Sequence, residues 1–315
     1  MPKREKTRPL VLVSRPLALE KDDPLWKKLE RLARVVVRPV GARQPLASHP
    51  ELARAAAVVT MVDDRVDAAL LAKAPFLRVV ANHAVGTNNV DLVAARKRGI
   101  VVANTPDVLT NATAELTISL LLAAARRFEE GTRLLREDAF TGWHPRLLLG
   151  RELKGARLGI VGQGRIGRAV AAKARALGMK VAYSNRRSGV KLEKLLRDSD
   201  FVSLHCPLTA ETRNLIGRRE LALMKPGSFL INTARGEIVD EKALLTALGK
   251  NLRGAAIDVF HREPRLDARL ARHPRVFVLP HLGSATIEAR AGMARLAVGA
   301  VIEVLSGRIP ANRVR

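Results

Sequence analysis

A single cysteine, Cys206, stands in a chain of 315 residues. One thiol excludes an internal disulfide framework and a cysteine-based structural zinc site, and no metal is expected. Aromatic residues make up only 3%, too few for a stacking platform that would hold single-stranded nucleic acid. No apolar run reaches the ~20 residues of a membrane span, and the opening MPKREKTR has no apolar stretch of the signal-peptide kind. A cytoplasmic protein without a membrane partner is expected. Acidic residues are scarce as well: 30 Asp and Glu face 55 Lys and Arg, a formal charge of +25. The excess is spread along the chain instead of gathered in a tail. It therefore points to a GC-rich or heat-adapted proteome that favours Arg and Ala more than to a nucleic-acid partner.

Apolar material is plentiful at 47%, and the length suggests two domains. Short β-branched runs recur at helix-length intervals: 10–13, 35–37, 57–60, 77–81 and 100–103, then 158–161, 181–184, 201–204, 228–232, 255–259 and 276–279. Near-continuous apolar strands alternating with helices read as buried parallel strands with crossovers. The fold class expected is α/β, with two Rossmann-like doubly wound parallel-sheet domains and an active-site cleft between them. One domain, discontinuous and substrate-binding, would take 1–104 and 284–315; the other, dinucleotide-binding, would take 105–283. A long helix is expected over 111–136, broken near Gly131, and a second over 285–305.

The run 158–161 leads into Gly162-Gln163-Gly164-Arg165-Ile166-Gly167 and then a helical stretch. In this context G-x-G-x-x-G is a dinucleotide signature. Gly162 permits the tight turn, Gly164 lets a pyrophosphate approach the backbone, and Gly167 lets helix and strand pack closely. The helix N-terminus adds free N–H groups and a positive dipole end. The next strand ends in Ser184-Asn185-Arg186-Arg187, where an acid would otherwise take a ribose 2′-hydroxyl. Two guanidiniums and no carboxylate favour NADP(H), with NAD(H) as the other possibility.

Three later segments follow strands: Asn232-Thr233-Ala234-Arg235-Gly236, Asp258 to Pro264, and Leu279-Pro280-His281-Leu282-Gly283. Strand ends of this kind line the ligand crevice of an open α/β sheet. An Arg, a Glu and a His, with no nucleophile-base pair and no metal-ligand cluster, suit acid-base-assisted hydride transfer to a carbonyl compound bearing a carboxylate.

These segments, with Val85-Gly86 before Asn89-Val90-Asp91, the stretch NTPDVLTNATAEL, Gly142-Trp143-His144-Pro145 and His205-Cys206-Pro207, resemble the D-isomer-specific 2-hydroxyacid dehydrogenase family. Within it the sequence is most similar to glyoxylate/hydroxypyruvate reductases. The resemblance runs from about residue 10 to 311. It implies that His281 is the general acid and base, that Glu263 holds its imidazole, and that Arg235 binds the 2-oxo acid. It further implies that Val85 and Gly86 receive the carboxylate and that Trp143 shapes the substrate site. Asp258 would orient the nicotinamide amide, while Thr113, Cys206, Pro207, Thr212, Thr233, Ala234 and Gly283 line the cofactor path. A homodimer is implied too.

Glu263 stands where formate-oxidising relatives carry Gln, and Val85 where phosphite-oxidising relatives carry Lys. Two alternatives stay open. One is a short D-3-phosphoglycerate dehydrogenase. The other is a dinucleotide-binding corepressor-like protein with a nucleic-acid role.

Overall fold

The computed structural model describes residues 8–42, 44–186 and 189–314. The chain divides into two compact units, Met1–Leu109 with Ala285–Arg315, and Thr110–Ser284. The first unit carries strands β1 (Leu10–Val13), β2 (Arg34–Val37), β3 (Ala55–Thr60), β4 (Val79–Asn82) and β5 (Val101–Ala103), in the order β2-β1-β3-β4-β5. The second carries β6 (Arg157–Val161), β7 (Lys180–Ser184), β8 (Phe201–Leu204), β9 (Ser228–Asn232), β10 (Leu252–Ile257) and β11 (Val276–Val278), in the order β11-β10-β9-β8-β6-β7. Every pairing between these strands is parallel. Both sheets are α/β, as the alternation of apolar runs with helices predicts.

The central strands are buried along their whole length, β1, β3, β4, β8 and β9 among them. Burial on both faces is why they read as unbroken apolar runs and not as alternation. The helix Ile287–Leu305 supplies Ala297, Val298, Val301 and Ile302 to one face of the first sheet, against Val11, Val13, Val79 and Ala81. Thr286 caps it, its hydroxyl accepting the Ala289 N–H at 3.1 Å. Burying Val298 and Val301 completely stabilises the unit by about 1.5–3 kcal/mol each.

The expected helix over 111–136 is two helices, Thr110–Ala125 and Phe128–Arg136. The break falls at Arg127, four residues before Gly131, with φ of 58°. A non-glycine residue in this region needs compensation. Arg127 finds it in a bidentate pair with Glu130 at 2.6 and 2.7 Å. The first of these helices is buried among Leu158, Ile160 and Val170, whereas the second buries no residue.

In each sheet the strand order reverses beside the first strand of the unit, between β1 and β3 and between β6 and β8. Crevices at such points hold ligands in open α/β sheets. No helix among the described residues is long and apolar enough to cross a membrane.

Two histidines near these edges are desolvated. Burial, with the charge of Arg290 adding to it, pushes His83 down to about 4, and burial takes His205 to about 4. An unfolded histidine binds its proton near 6.5, so between about pH 6.5 and 4 the unfolded chain holds more protons than the folded one. Stability therefore falls as pH drops through that window, with a slope of up to about 1.4 kcal/mol per pH unit for each group. Urea unfolding at about pH 6.5 and about pH 4.5, inside that window, measures the fall. His83→Asn should flatten it, and an unchanged slope contradicts the assignment.

Candidate active site

The turn after β6 is built around what glycine lacks. Gly162 has φ of +102°, and a Cβ there would meet the His205 carbonyl oxygen at 2.6 Å and the Cys206 nitrogen at 2.7 Å. Its N–H donates to the Ser184 carbonyl at 2.9 Å, so the ends of β6, β7 and β8 are drawn together. A Cβ on Gly167 would lie 2.3 Å from the Gly162 oxygen, whereas one on Gly164 would meet nothing within 4 Å. Two glycines thus serve packing and the third faces open space. Gly164 is the N-cap of the helix Arg165–Ala176, and no side chain caps it. Arg165 and Ile166 open that helix, Arg165 exposed and Ile166 half-buried. This is a cradle for a pyrophosphate on a helix N-terminus, and the chain fits a dinucleotide here.

Beside the turn, Asn185 Nδ2 donates to Gln163 Oε1 at 3.0 Å. The guanidinium of Arg186 lies 3.0 Å from Glu211. Arg187 lies outside the described residues. After β8, burial pushes the Cys206 thiol up to about 11, which makes it a poor nucleophile. Pro207 accepts the Thr212 hydroxyl at 2.6 Å, and Thr212 in turn accepts the Thr209 N–H at 2.8 Å. Thr212 thereby shapes this loop.

Past β9, Asn232 organises the next segment. Its Oδ1 accepts the Ala234 N–H at 3.0 Å and its Nδ2 donates to the Arg235 carbonyl at 2.9 Å. Thr233 is buried and shares a 2.9 Å hydrogen bond with Thr117. A Cβ on Gly236 would fall 2.1 Å from the Phe260 carbonyl carbon, so this segment lies flat on the one that follows β10. Arg235 donates to its neighbour's carbonyl at 2.7 Å. Burial lowers its pKa, and the charges of Glu263 and then Glu237 oppose that. A desolvated guanidinium is a strong partner for a carboxylate.

β10 ends at Ile257, so Asp258 begins the loop. Its backbone carbonyl accepts the His281 N–H at 2.8 Å. Its side-chain oxygens accept the N–H groups of Leu282 at 2.6 Å and Gly283 at 2.8 Å. The Gly283 carbonyl accepts the Thr113 hydroxyl at 2.9 Å. His281 itself has φ of 56°, a conformation costing about 1–3 kcal/mol in a non-glycine residue, and the Asp258 bonds maintain it. Burial raises the Asp258 pKa, and the hydrogen bond from Leu282 is the foremost effect opposing it. His281 Nδ1 lies 2.7 Å from Glu263 Oε2. Glu263 Oε1 also accepts the Phe260 N–H at 3.2 Å. With Nδ1–H given to a carboxylate, Nε2 is the atom left to exchange a proton with a ligand.

Val85 and Gly86 belong to the first unit, in the loop after β4. Asn104 Nδ2 donates to the Val85 carbonyl at 2.9 Å and Asn82 Nδ2 to the Gly86 carbonyl at 2.8 Å. These two bonds hold the loop, and its backbone N–H groups are the main-chain groups able to meet an anion. Trp143 is 79% exposed in the irregular segment after residue 136. Among the described residues no group of three or more His, Cys, Asp or Glu could hold a metal ion.

Two participants escape a reading of the sequence. Asn232 looks like an ordinary strand residue, although its place at the strand end, just before the Arg235-Gly236 loop, is a signal. Glu211 carries none, since its partner Arg186 is 25 positions away.

Fold and site together define an oxidoreductase that uses a nicotinamide dinucleotide. A family model described as "D-isomer specific 2-hydroxyacid dehydrogenase, NAD binding domain" matches residues 118–283. A glyoxylate reductase of Thermococcus litoralis is 48% identical, over 82% of this chain and 83% of that protein. Among solved structures, a protein of Thermus thermophilus superposes with a TM-score of 0.89 at 44% identity, covering 97% of this chain and 100% of that one. An NADPH-dependent glyoxylate/hydroxypyruvate reductase of Sinorhizobium meliloti, solved with NADP and malonate, gives 0.84 at 31% identity, covering 98% and 97%. The chain belongs to the D-isomer-specific 2-hydroxyacid dehydrogenase family and is an oxidoreductase acting on CH–OH donors.

The Asp258 bonds are directly testable. Asp258→Asn replaces one acceptor oxygen by an amide NH2 that faces a backbone N–H. It should cost about 2–3 kcal/mol of stability, read from the urea midpoint. A change below about 0.5 kcal/mol, the size of an ordinary surface substitution, contradicts the role of the carboxylate in holding the His281 turn.

Proposed function

We propose that the chain is an NADPH-preferring reductase of small 2-oxo acids, converting glyoxylate or hydroxypyruvate to the D-2-hydroxy acid. The observation that carries this reading is the 2.7 Å pair between His281 Nδ1 and Glu263 Oε2, held beside a half-buried Arg235. The names of the relatives from Thermococcus litoralis and Sinorhizobium meliloti support the substrate class.

A nicotinamide bound at the glycine turn would supply the hydride for reduction of the carbonyl. His281 Nε2 gives the proton to the carbonyl oxygen, and Glu263 fixes the tautomer and ring orientation that make this possible. Arg235 binds the substrate and polarises its carbonyl through its forked donors. The Val85 and Gly86 N–H groups receive the carboxylate, and Trp143 shapes the substrate site. Asp258, besides holding the His281 turn, meets the nicotinamide amide, and Thr113, Cys206, Pro207, Thr212, Thr233, Ala234 and Gly283 line the cofactor path. Ser184, Asn185, Arg186 and Arg187 take the 2′-phosphate, a role supported by the absence of a carboxylate at the end of β7.

Steady-state kinetics with NADPH and NADH across glyoxylate, hydroxypyruvate, pyruvate and phosphohydroxypyruvate test the reading. NADPH with glyoxylate or hydroxypyruvate should give the highest kcat/KM. Turnover confined to phosphohydroxypyruvate would make it a phosphoglycerate dehydrogenase. Loss of all turnover alongside salt-sensitive DNA binding would make it a corepressor-like protein. His281→Ala should lower kcat about 10²–10⁴-fold with cofactor affinity retained.

The enzyme is further proposed to be a cytoplasmic homodimer. Phe128, Leu135, Phe140, Trp143 and Leu149 are all exposed within one stretch of chain, an apolar surface of the kind that marks an interface. Sedimentation should give twice the chain mass, and Leu135→Glu should shift it toward the monomer.

A further inference from the structure

A dinucleotide fold that selects NAD places an acid at the end of the second strand, on the ribose 2′-hydroxyl. Here β7 ends at Ser184, and Asn185 and Arg186 follow it with no acid among them. Tertiary structure nevertheless brings a carboxylate to this place from another direction. β6 pairs with β7 on one side and β8 on the other, so the segments beyond β7 and β8 flank the same glycine turn. From the loop beyond β8, Glu211 reaches the Arg186 guanidinium at 3.0 Å.

The loop that carries Glu211 is shaped by its own hydrogen bonds. The Thr212 hydroxyl donates to the Pro207 carbonyl and accepts from the Thr209 N–H. The Thr209 side chain, the backbone of Glu211 and then Arg186 hold the Glu211 carboxyl at about 2. It is therefore an anion at every pH at which a nicotinamide enzyme is assayed. A guanidinium carries five N–H donors. Glu211 Oε2 lies on Nη2, and a 2′-phosphate that recruits Nη2 takes that donor from the carboxylate.

We propose that Glu211 is a specificity-determining residue that competes with the cofactor's 2′-phosphate for Arg186 and so limits the preference for NADPH over NADH. This rests on the proposed role of Arg186 toward that phosphate. With NADH bound, the Arg186–Glu211 pair stays closed and the ribose meets a neutral patch. With NADPH bound, the guanidinium turns to the phosphate and the ion pair with Glu211 is given up. One loop residue thus keeps both cofactors within reach of the same pocket.

The test is cofactor affinity without turnover. Kd is measured by fluorescence titration of NADPH and NADH, and by calorimetry with adenosine 2′,5′-bisphosphate and adenosine 5′-monophosphate. Glu211→Gln keeps the size and removes the charge. It should tighten NADPH and the bisphosphate about two- to fivefold, as befits an exposed ion pair, and leave NADH and the monophosphate unchanged. The gain should shrink at high salt. In an Arg186→Ala background the same Glu211→Gln change should give no gain.

If Arg186→Ala weakens NADPH but Glu211→Gln leaves it unaltered, the competition is refuted while the phosphate-binding role of Arg186 stands. A Glu211→Gln gain of equal size with or without Arg186 also overturns the proposal, since the carboxylate would then act by direct repulsion. If neither variant affects NADPH, both readings fall.

Discussion

Both carboxylate oxygens of Asp258 accept backbone N–H groups, from Leu282 and Gly283, and the placement of His281 depends on these two bonds. A histidine at φ of 56° would relax to a commoner conformation if nothing over-determined it. The buried carboxylate does so, aided by the bond from His281 N–H to the Asp258 carbonyl. Only with the backbone so turned does the imidazole meet Glu263 at 2.7 Å. Burial works against Asp258 ionising, which is the cost of a rigid acceptor in that position. The chemistry thus hangs on a residue that contributes first through backbone geometry.

A second constraint is the close approach of loops. Gly236 lies on the Phe260 backbone and Gly162 on the His205–Cys206 peptide, each with no room for a Cβ. The first contact ties the Arg235 segment to the Glu263 segment. The second ties the phosphate-binding turn to the loop that carries Glu211. Because all the strands are parallel, the segments that follow them emerge on one edge of the sheet. Sheet order and two glycines therefore place four loops, distant in sequence, against one another.

The charge of +25 takes a more local form in this setting. Arg127, Arg186 and Arg269 each face an acid within 3.0 Å, so several basic side chains are neutralised in place and not offered to a distant partner. A positive field remains around the chain, and it draws anionic ligands inward. Most of the surplus bears on no particular site.

The alternation of apolar runs with helices was enough to read two parallel α/β units, because strands buried on both faces leave little choice of residue. The glycine turn was legible for a similar reason, since Gly162 and Gly167 each sit where a side chain collides with backbone. Arg235, Glu263 and His281 stood out through their positions past strand ends. Less legible was the break at Arg127: a paired arginine can hold a left-handed turn that glycine would be expected to occupy, and the pairing is not a pattern in composition. Sequence alone decided the layers, the strand content and the residue types at the site. Tertiary structure alone decided that Asp258 holds the His281 turn and that Glu211 meets Arg186, because hydrogen bonds and charges act through space, between positions that strand order and not chain distance makes neighbours.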